Sequence, residues 1–249
     1  MINPIINHRL FFTAMIIMTF IAQSCVVTHY NQGAKTIPEN HLQVGAGLYG
    51  GSFTDFYSDF DENDDFDEDL LILPFFDFYL GARYGIGPRN DLGAMYSFVS
   101  TTTSLDYKHM IIGDQQSKFA MASGAHISGA LGTAFIGHFQ AEIPLYLSVH
   151  PNEYFSAFVI PRIGLQRIGL NDILFNGRSN FWHYGLGAGI NFGNEKYKGY
   201  LAYNTIKLQT DQFILESFTP RNRNLGLGVI INFSLQKNYK SVSPKRYQL

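Results

Sequence analysis

The stretch from Phe135 to His150, FIGHFQAEIPLYLSVH, alternates apolar and polar side chains over sixteen residues. In a strand, successive side chains point to opposite faces, so this pattern gives one apolar and one polar face. A helix would spread both kinds of residue over its whole surface. The run is also about three times as long as the ~5–6 residue strand of an ordinary sheet. It therefore predicts a strand that crosses a membrane at a tilt.

The composition narrows the kind of membrane protein. Charged residues make up 15% of the chain, whereas they make up ~25% of a typical soluble domain. No apolar run reaches the ~18 residues of a transmembrane helix. Twenty-four glycines and 22 phenylalanines accompany this low charge. These features together favour a membrane β-barrel, and a net charge of −2 argues against nucleic-acid binding.

The N-terminus has the organisation of an export signal over residues 1–24. Its apolar core, Leu10 to Ala22, is long enough for a signal peptide and too short for a membrane span. The stretch from Ile21 to Cys25, IAQSC, begins at the end of this core and resembles the lipobox of bacterial lipoproteins. The resemblance implies that Cys25 is acylated and that residues 25–40 form a lipidated tether. The alternative is an ordinary signal peptide followed by an incidental cysteine.

Ten alternating segments follow the predicted tether. They lie near 41–50, 72–85, 91–100, 103–112, 118–131, 135–150, 154–167, 180–193, 198–208 and 222–234. Short turns rich in Gly, Pro, Asn and Asp alternate with a second set of connections, three of which are long. Membrane barrels have short turns on the periplasmic side, and an even strand number returns the chain to its starting side. The sequence thus predicts an all-β, ten-stranded antiparallel transmembrane barrel over 41–234, with both termini periplasmic.

This pattern resembles the small outer-membrane β-barrel proteins of Gram-negative bacteria over residues 41–234. The resemblance implies a location in the bacterial outer membrane, with the lipid anchor on the periplasmic side and membrane lipid as a partner. Proteins of this kind include structural barrels, narrow pores, adhesins and a few lipid-modifying or proteolytic enzymes. The fold therefore leaves the activity and the oligomeric state open.

The polar face of the segments carries Gly, Ser, His and Asn with few charges, which suits the crowded lumen of a narrow barrel. A soluble ligand-binding barrel tethered by Cys25 is an alternative, but it would put Lys, Glu and Thr on its wet face. The charges that the alternation places inside are balanced in sign, namely Asp77, Arg83, Asp106, Lys108, Glu142 and Arg162. We expect them to pair as a structural plug, because an unpaired buried charge is costly. The other possibility is a narrow polar channel, so the predicted role is structural or that of a small passive pore.

A catalytic alternative arises between segments five and six. If residues 132–134 form a three-residue hairpin loop, Ser128 opposes His138, and Glu142 lies diagonal to His126. A serine, a histidine and a carboxylate would then cluster, as nucleophilic hydrolysis requires. The same residues are similar to the His-x-Ser and downstream Glu of outer-membrane lipid A deacylases. That resemblance implies a lipid-modifying hydrolase whose site faces the membrane, whereas the alternation points these residues inward.

Two charged stretches lie outside the predicted strands. Residues 55–69 hold nine acids and no base, including Asp59, Asp61, Glu62, Asp64, Asp65, Asp67, Glu68 and Asp69. Such an exposed outer loop could collect divalent cations and, through them, contact lipopolysaccharide phosphates. Residues 235–249 form a basic tail, predicted to be periplasmic. No phosphate-binding loop, CxxC pair or HExxH motif occurs, so the sequence predicts no cofactor and no metal centre.

Overall fold

The computed structural model describes residues 32–54, 73–130, 136–170, 178–209 and 221–235. Its strands are β1 (His41–Thr54), β2 (Leu73–Gly87), β3 (Asn90–Ser97), β4 (Thr102–Ile112), β5 (Phe119–Ala130), β6 (Ile136–Asn152), β7 (Phe155–Leu170), β8 (Arg178–Gly193), β9 (Tyr197–Gln209) and β10 (Arg221–Ser234). Within these ranges no helix has the length and hydropathy of a membrane span.

The ten strands form one closed antiparallel barrel. Each strand pairs with its neighbour in the chain, and β1 pairs with β10 from His41 opposite Ser234 to Thr54 opposite Arg221. Closure leaves no unpaired strand edge. The predicted fold class, an all-β ten-stranded antiparallel barrel, is confirmed. Strand bounds differ by a few residues, most clearly at β3, which ends at Ser97 because residues 98–101 form a turn.

The two ends of the barrel differ in their connections. One end, here called the short-turn end, joins the strands through residues 88–89, 113–118, 153–154 and 194–196. Gly113 and Gly193 start two of these turns with φ of +93° and +131°, a region that L side chains rarely adopt. The other end, the long-loop end, carries the turn 98–101 and four connections outside the described residues, which are 55–72, 131–135, 171–177 and 210–220.

Side chains alternate between the outer wall and the lumen, as the sequence predicts. On β2, Phe76 and Leu80 are 67% and 50% exposed, whereas Asp77 and Arg83 are 1% and 7% exposed. The same alternation holds around the barrel, where the exposed outer residues include Leu48, Ile143, Val159, Trp182, Tyr203, Leu227 and Val229. Because strands alternate with a period of two, one correct assignment fixes the facing of a whole strand.

The core lies inside the barrel and is aromatic towards the long-loop end. Tyr79 and Tyr200 reach across the lumen, and their hydroxyls are hydrogen-bonded at 2.5 Å. This close approach needs glycine on the wall, since a Cβ on Gly228 would lie 2.6 Å from the Tyr200 ring. The inward glycines of the sequence pattern thus leave room for large side chains from other strands.

Residues 32–40, which we call the strap, run across the inside of the short-turn end. Ala34 and Thr36 are 0% and 2% exposed. The backbone N–H of Ala34 donates to Ser148 Oγ at 3.0 Å, and the backbone carbonyl of Thr36 accepts from Gln115 Nε2 at 2.8 Å. Asn40, with φ of 60°, turns the chain from the strap into β1. This part of the predicted tether 25–40 is therefore packed in the barrel, while residues before 32 lie outside the described part of the chain.

Candidate functional site

The six charges that the sequence places in the lumen all point inward in the barrel. The most exposed of them, Asp106, has a side chain that is 14% exposed, and the others are buried. They do not form one continuous network. The structure instead separates them into two ion-paired clusters and a single carboxylate, Asp77.

The first cluster lies beside the strap and is centred on Asp91, which the sequence argument missed. Arg83 forms ion pairs with both Asp91 and Asp106. Lys108 Nζ lies 3.6 Å from the second oxygen of Asp91. The signal for Asp91 is its position directly opposite Lys108 in the β3–β4 register, which follows from the short turn 98–101 that joins β3 to β4.

The strap is held by this cluster through charge-assisted hydrogen bonds. Lys108 Nζ donates to the backbone carbonyls of Lys35 and Gly33 at 2.9 and 3.2 Å. Asp91 Oδ2 accepts the backbone N–H of Ile37 at 2.7 Å. The ion pair between Lys108 and Asp91 therefore stabilises strands β3 and β4 and fixes the strap across the lumen at the same time.

The second cluster lies in the middle of the barrel around Glu142. Its Oε1 accepts from Gln140 Nε2 at 2.6 Å and lies 2.8 Å from His183 Nε2. Arg162 Nε is 3.6 Å from the same oxygen, and Arg162 Nη1 donates to Asn204 Oδ1 at 3.2 Å. The cluster joins β6, β7, β8 and β9 across the lumen. His183 is on the polar face of the alternating segment 180–193, which predicts that it faces inward, but the sequence pattern does not indicate which residue it meets there.

Asp77 has a different environment near the long-loop end. One of its oxygens accepts the Tyr49 hydroxyl at 2.9 Å and the backbone N–H of Ser100 at 3.1 Å. The other accepts the backbone N–H groups of Phe78 and Val99 at 2.7 and 2.9 Å. Among the described residues it makes no ion pair, so its role is to fix the turn between β3 and β4.

The predicted register between β5 and β6 is wrong by two residues. Glu142 lies directly opposite His126, and Gln140 lies opposite Ser128. The reason is that β5 ends at Ala130 and β6 begins at Ile136, which leaves a longer connection than the three-residue loop on which the prediction depended. His138 pairs with Ile168 through its backbone, and its side chain lies outside the described part of the chain.

The observed geometry gives little support to the catalytic alternative. His126 and Ser128 are each 4% exposed, and Ser128 Oγ has no hydrogen-bond partner among the described residues. A nucleophilic serine is normally within hydrogen-bond reach of its base. Among the side chains that the structure describes, His126 and Glu142 are thus brought together without the serine–histidine contact that hydrolysis would use.

Four predicted features lie outside the described residues. They are the signal peptide 1–24, the acylation site at Cys25, the acidic loop 55–69 and, apart from its first residue, the basic tail 235–249. Within the described ranges, no group of three or more His, Cys, Asp or Glu side chains is arranged to hold a metal ion.

Two cavities lie inside the barrel. One of about 60 Å³ lies between Tyr79, Arg83, His126 and Tyr146 and has room for only a few water molecules. The other, of about 650 Å³, opens at the short-turn end between the strap and the ends of β1 and of β6 to β10. We call this larger cavity the vestibule.

Comparisons with known proteins give only distant similarities. No protein-family model matches the sequence, and a search of curated proteins gave no significant match. Among solved structures, the attachment invasion locus protein Ail of Yersinia pestis is 12% identical with a TM-score of 0.34, covering 78% of this chain and 99% of Ail.

Two further structures are similar to the same degree. Neisserial surface protein A is 12% identical with a TM-score of 0.40, covering 78% of this chain and 100% of that protein. The outer membrane protease OmpT from Escherichia coli is 10% identical with a TM-score of 0.42, covering 83% of this chain and 99% of OmpT. At these identities and TM-scores, the similarity says nothing about what this chain binds or does.

Proposed function

We propose that the chain is a bacterial outer-membrane β-barrel with a closed lumen and a structural role, which holds its long loops at the membrane surface. The observation that carries this proposal is the pair of buried, ion-paired clusters that fill the barrel between the strap and Asp77. A passive pore, the other role that the sequence allows, would need a continuous wet path in their place.

The membrane location is supported by the outer wall. Phe76, Ile143 and Val229 are 67%, 63% and 58% exposed, and surfaces of this kind are stable in lipid rather than in water. Tyr84 and Tyr107 lean towards the short-turn end, where their hydroxyls donate to Asn40 and Asn90 at 3.0 and 2.6 Å. Tyrosines with an apolar ring and a wet hydroxyl are typical of the boundary between lipid and water.

The soluble ligand-binding barrel receives no support from this arrangement. That alternative needs the polar face outside, whereas Asp77, His183 and Asn204 are 1%, 1% and 0% exposed inside the lumen. The hydrolase alternative needs an accessible nucleophile next to a base, whereas Ser128 is buried and contacts no base among the described side chains.

The lipid anchor and the orientation are part of the proposal. The strap enters the barrel at the short-turn end, and Gln32 is seven positions after Cys25 (32 − 25 = 7). Seven extended residues reach at most about 25 Å, so an acylated Cys25 would be bound to the membrane near that end. The short-turn end would then face the periplasm, and the acidic loop 55–69 would face outward towards lipopolysaccharide.

Single-channel recording in planar bilayers tests the closed lumen. We expect no steady current from the wild-type protein, and we expect currents from Glu142→Ala/Arg162→Ala, because the double change removes volume from the middle without changing net charge. The matched control Leu225→Ala/Leu227→Ala removes volume from the outer wall and should remain silent. Steady single-channel currents from the wild type would show that the barrel is a pore.

A further inference from the structure

The vestibule differs from the rest of the lumen in how its charges are satisfied. Its walls carry three ammonium groups, on Lys35, Lys196 and Lys198. None of the three makes an ion pair with a carboxylate of the described residues. By contrast, the deeper cations Arg83, Lys108 and Arg162 are each paired with Asp or Glu. The vestibule also contains Glu153 and Glu195, but both are exposed on the turns at its rim.

Lys35 and Lys198 approach one another from different sides of the vestibule. Lys35 is on the strap, where its Nζ donates to the carbonyl of Gln115 at 2.8 Å. Lys198 is near the start of β9 and is half-buried. Burial lowers the pKa of Lys35, the Lys198 ammonium lowers it further, and Asp114 opposes the change. Two ammonium groups that repel each other across a cavity form a favourable position for an anion.

The remaining wall combines apolar side chains such as Ile230 and Phe233 with polar ones such as Ser156 and Asn191. Asn191 Nδ2 donates to Ser156 Oγ at 3.4 Å, whereas Asn191 Oδ1 is buried and has no donor among the described residues. A buried acceptor without a donor is unfavourable. A rotation of the Asn191 side chain that brings this oxygen to the surface of the vestibule would let it accept a hydroxyl of a bound molecule. At about 650 Å³, the vestibule is within the ~300–1,000 Å³ range of small-molecule sites.

We propose that the vestibule binds a small hydroxylated anion, such as a sugar phosphate or a sugar acid. Lys35 and Lys198 contact its phosphate or carboxylate group, and Asn191 accepts one of its hydroxyls. The site is accessible from the short-turn end, and binding there does not depend on whether the lumen conducts. This ligand-binding site is therefore independent of the proposed structural role.

Titration calorimetry on the full chain in detergent micelles tests the site with glucose 6-phosphate, galacturonate and neutral glucose. Both anions should bind and glucose should not. Lys198→Met and Lys35→Met should each weaken binding roughly tenfold, the loss expected for one charge-assisted contact. Lys118→Met is the matched control, because Lys118 is exposed at the same end and does not line the vestibule. Equal affinities for wild type and Lys198→Met would overturn the proposal, and so would an absence of binding to both anions.

A second measurement on the wild-type protein avoids any effect of substitution on folding. Pyridoxal 5′-phosphate carries a phosphate and an aldehyde, which condenses with a lysine amine and loses water; borohydride then fixes the adduct by adding hydride to the C=N carbon. Mass spectrometry should find the label on Lys35 or Lys198 in preference to Lys118, and glucose 6-phosphate should suppress it. Uniform labelling of surface lysines that glucose 6-phosphate does not change would contradict an anion site in the vestibule.

Discussion

The middle of the barrel and its short-turn end are both lined by polar side chains, but they differ in how charge is balanced. In the middle, Glu142 on β6 meets Arg162 and His183 on β7 and β8 at 3.6 and 2.8 Å, and the lumen keeps a cavity of only about 60 Å³. At the short-turn end the strap covers one side only, so that Lys198 borders a cavity of about 650 Å³. The comparison indicates where the described chain satisfies its own charges and where it leaves them for another molecule.

The largest expected effect is a difference in stability between variants in the middle of the barrel and variants at its short-turn end. Glu142→Gln should lower the free energy of unfolding by about 3–5 kcal/mol, because it leaves the buried Arg162 without its carboxylate. Lys198→Met should change it little, since no carboxylate of the described residues lies within ion-pair distance of that ammonium and Glu195 is exposed. Urea unfolding in micelles, followed by tryptophan fluorescence and a heat-modifiability gel, measures both.

The double change Glu142→Gln/Arg162→Met sharpens this result. Replacing both members of a buried ion pair by neutral groups is often nearly neutral, so the double variant should recover much of the loss. If Glu142→Gln and Lys198→Met cost the same, the middle and the short-turn end are not distinguished by charge pairing.

The next prediction compares the outer wall at mid-height with the outer wall at the short-turn end. Leu227 is midway along β10 and 55% exposed, whereas Leu235 follows the strand at the short-turn end and is 54% exposed. Leu227→Arg should lower the free energy of unfolding, measured in lipid vesicles, by about 2–4 kcal/mol. Leu235→Arg should lower it by only about 0–1 kcal/mol, because the cost of burying a charge in lipid falls towards the edge of the apolar layer. Equal costs at the two positions would mean that no lipid layer surrounds the barrel at mid-height.

The smallest effect concerns the strap. Ser148→Ala removes the acceptor of the Ala34 N–H, whose hydrogen bond spans 3.0 Å, and should lower the free energy of unfolding by about 0.5–1.5 kcal/mol. Ser123→Ala, on the neighbouring strand and away from the strap, is the control. Faster amide exchange at Ala34 in the first variant alone would locate the loss in the strap; unchanged exchange would mean that the other strap contacts are sufficient.

The sequence predicts the strands and their facing well, because both depend on a local pattern with a period of two. The same pattern cannot detect a register error of two residues, since that error keeps every side chain on its correct face. For this reason Ser128 and Gln140 are paired where Ser128 and His138 were expected.

Contacts across the lumen are the part that the sequence does not predict. Which inward residues meet, as His183 and Glu142 do, depends on the strand number and the stagger of the closed barrel rather than on any one strand. The strap is missed for a different reason, because residues 32–40 have no periodic pattern and their burial depends on Asp91, Lys108 and Ser148 far along the chain.

The pairing of β1 with β10 has a consequence for assembly order. Gln43 and Asn232, which are hydrogen-bonded at 2.9 Å across this last seam, are 189 residues apart in the chain. Contacts between such distant residues form slowly, and the wall cannot be completed before the C-terminal strand is available. Because the strap lies inside the lumen, its contacts with Asp91, Lys108 and Ser148 are surrounded by a complete wall only once this seam has closed. The last strand of the chain therefore completes the ring around the first segment that the structure describes.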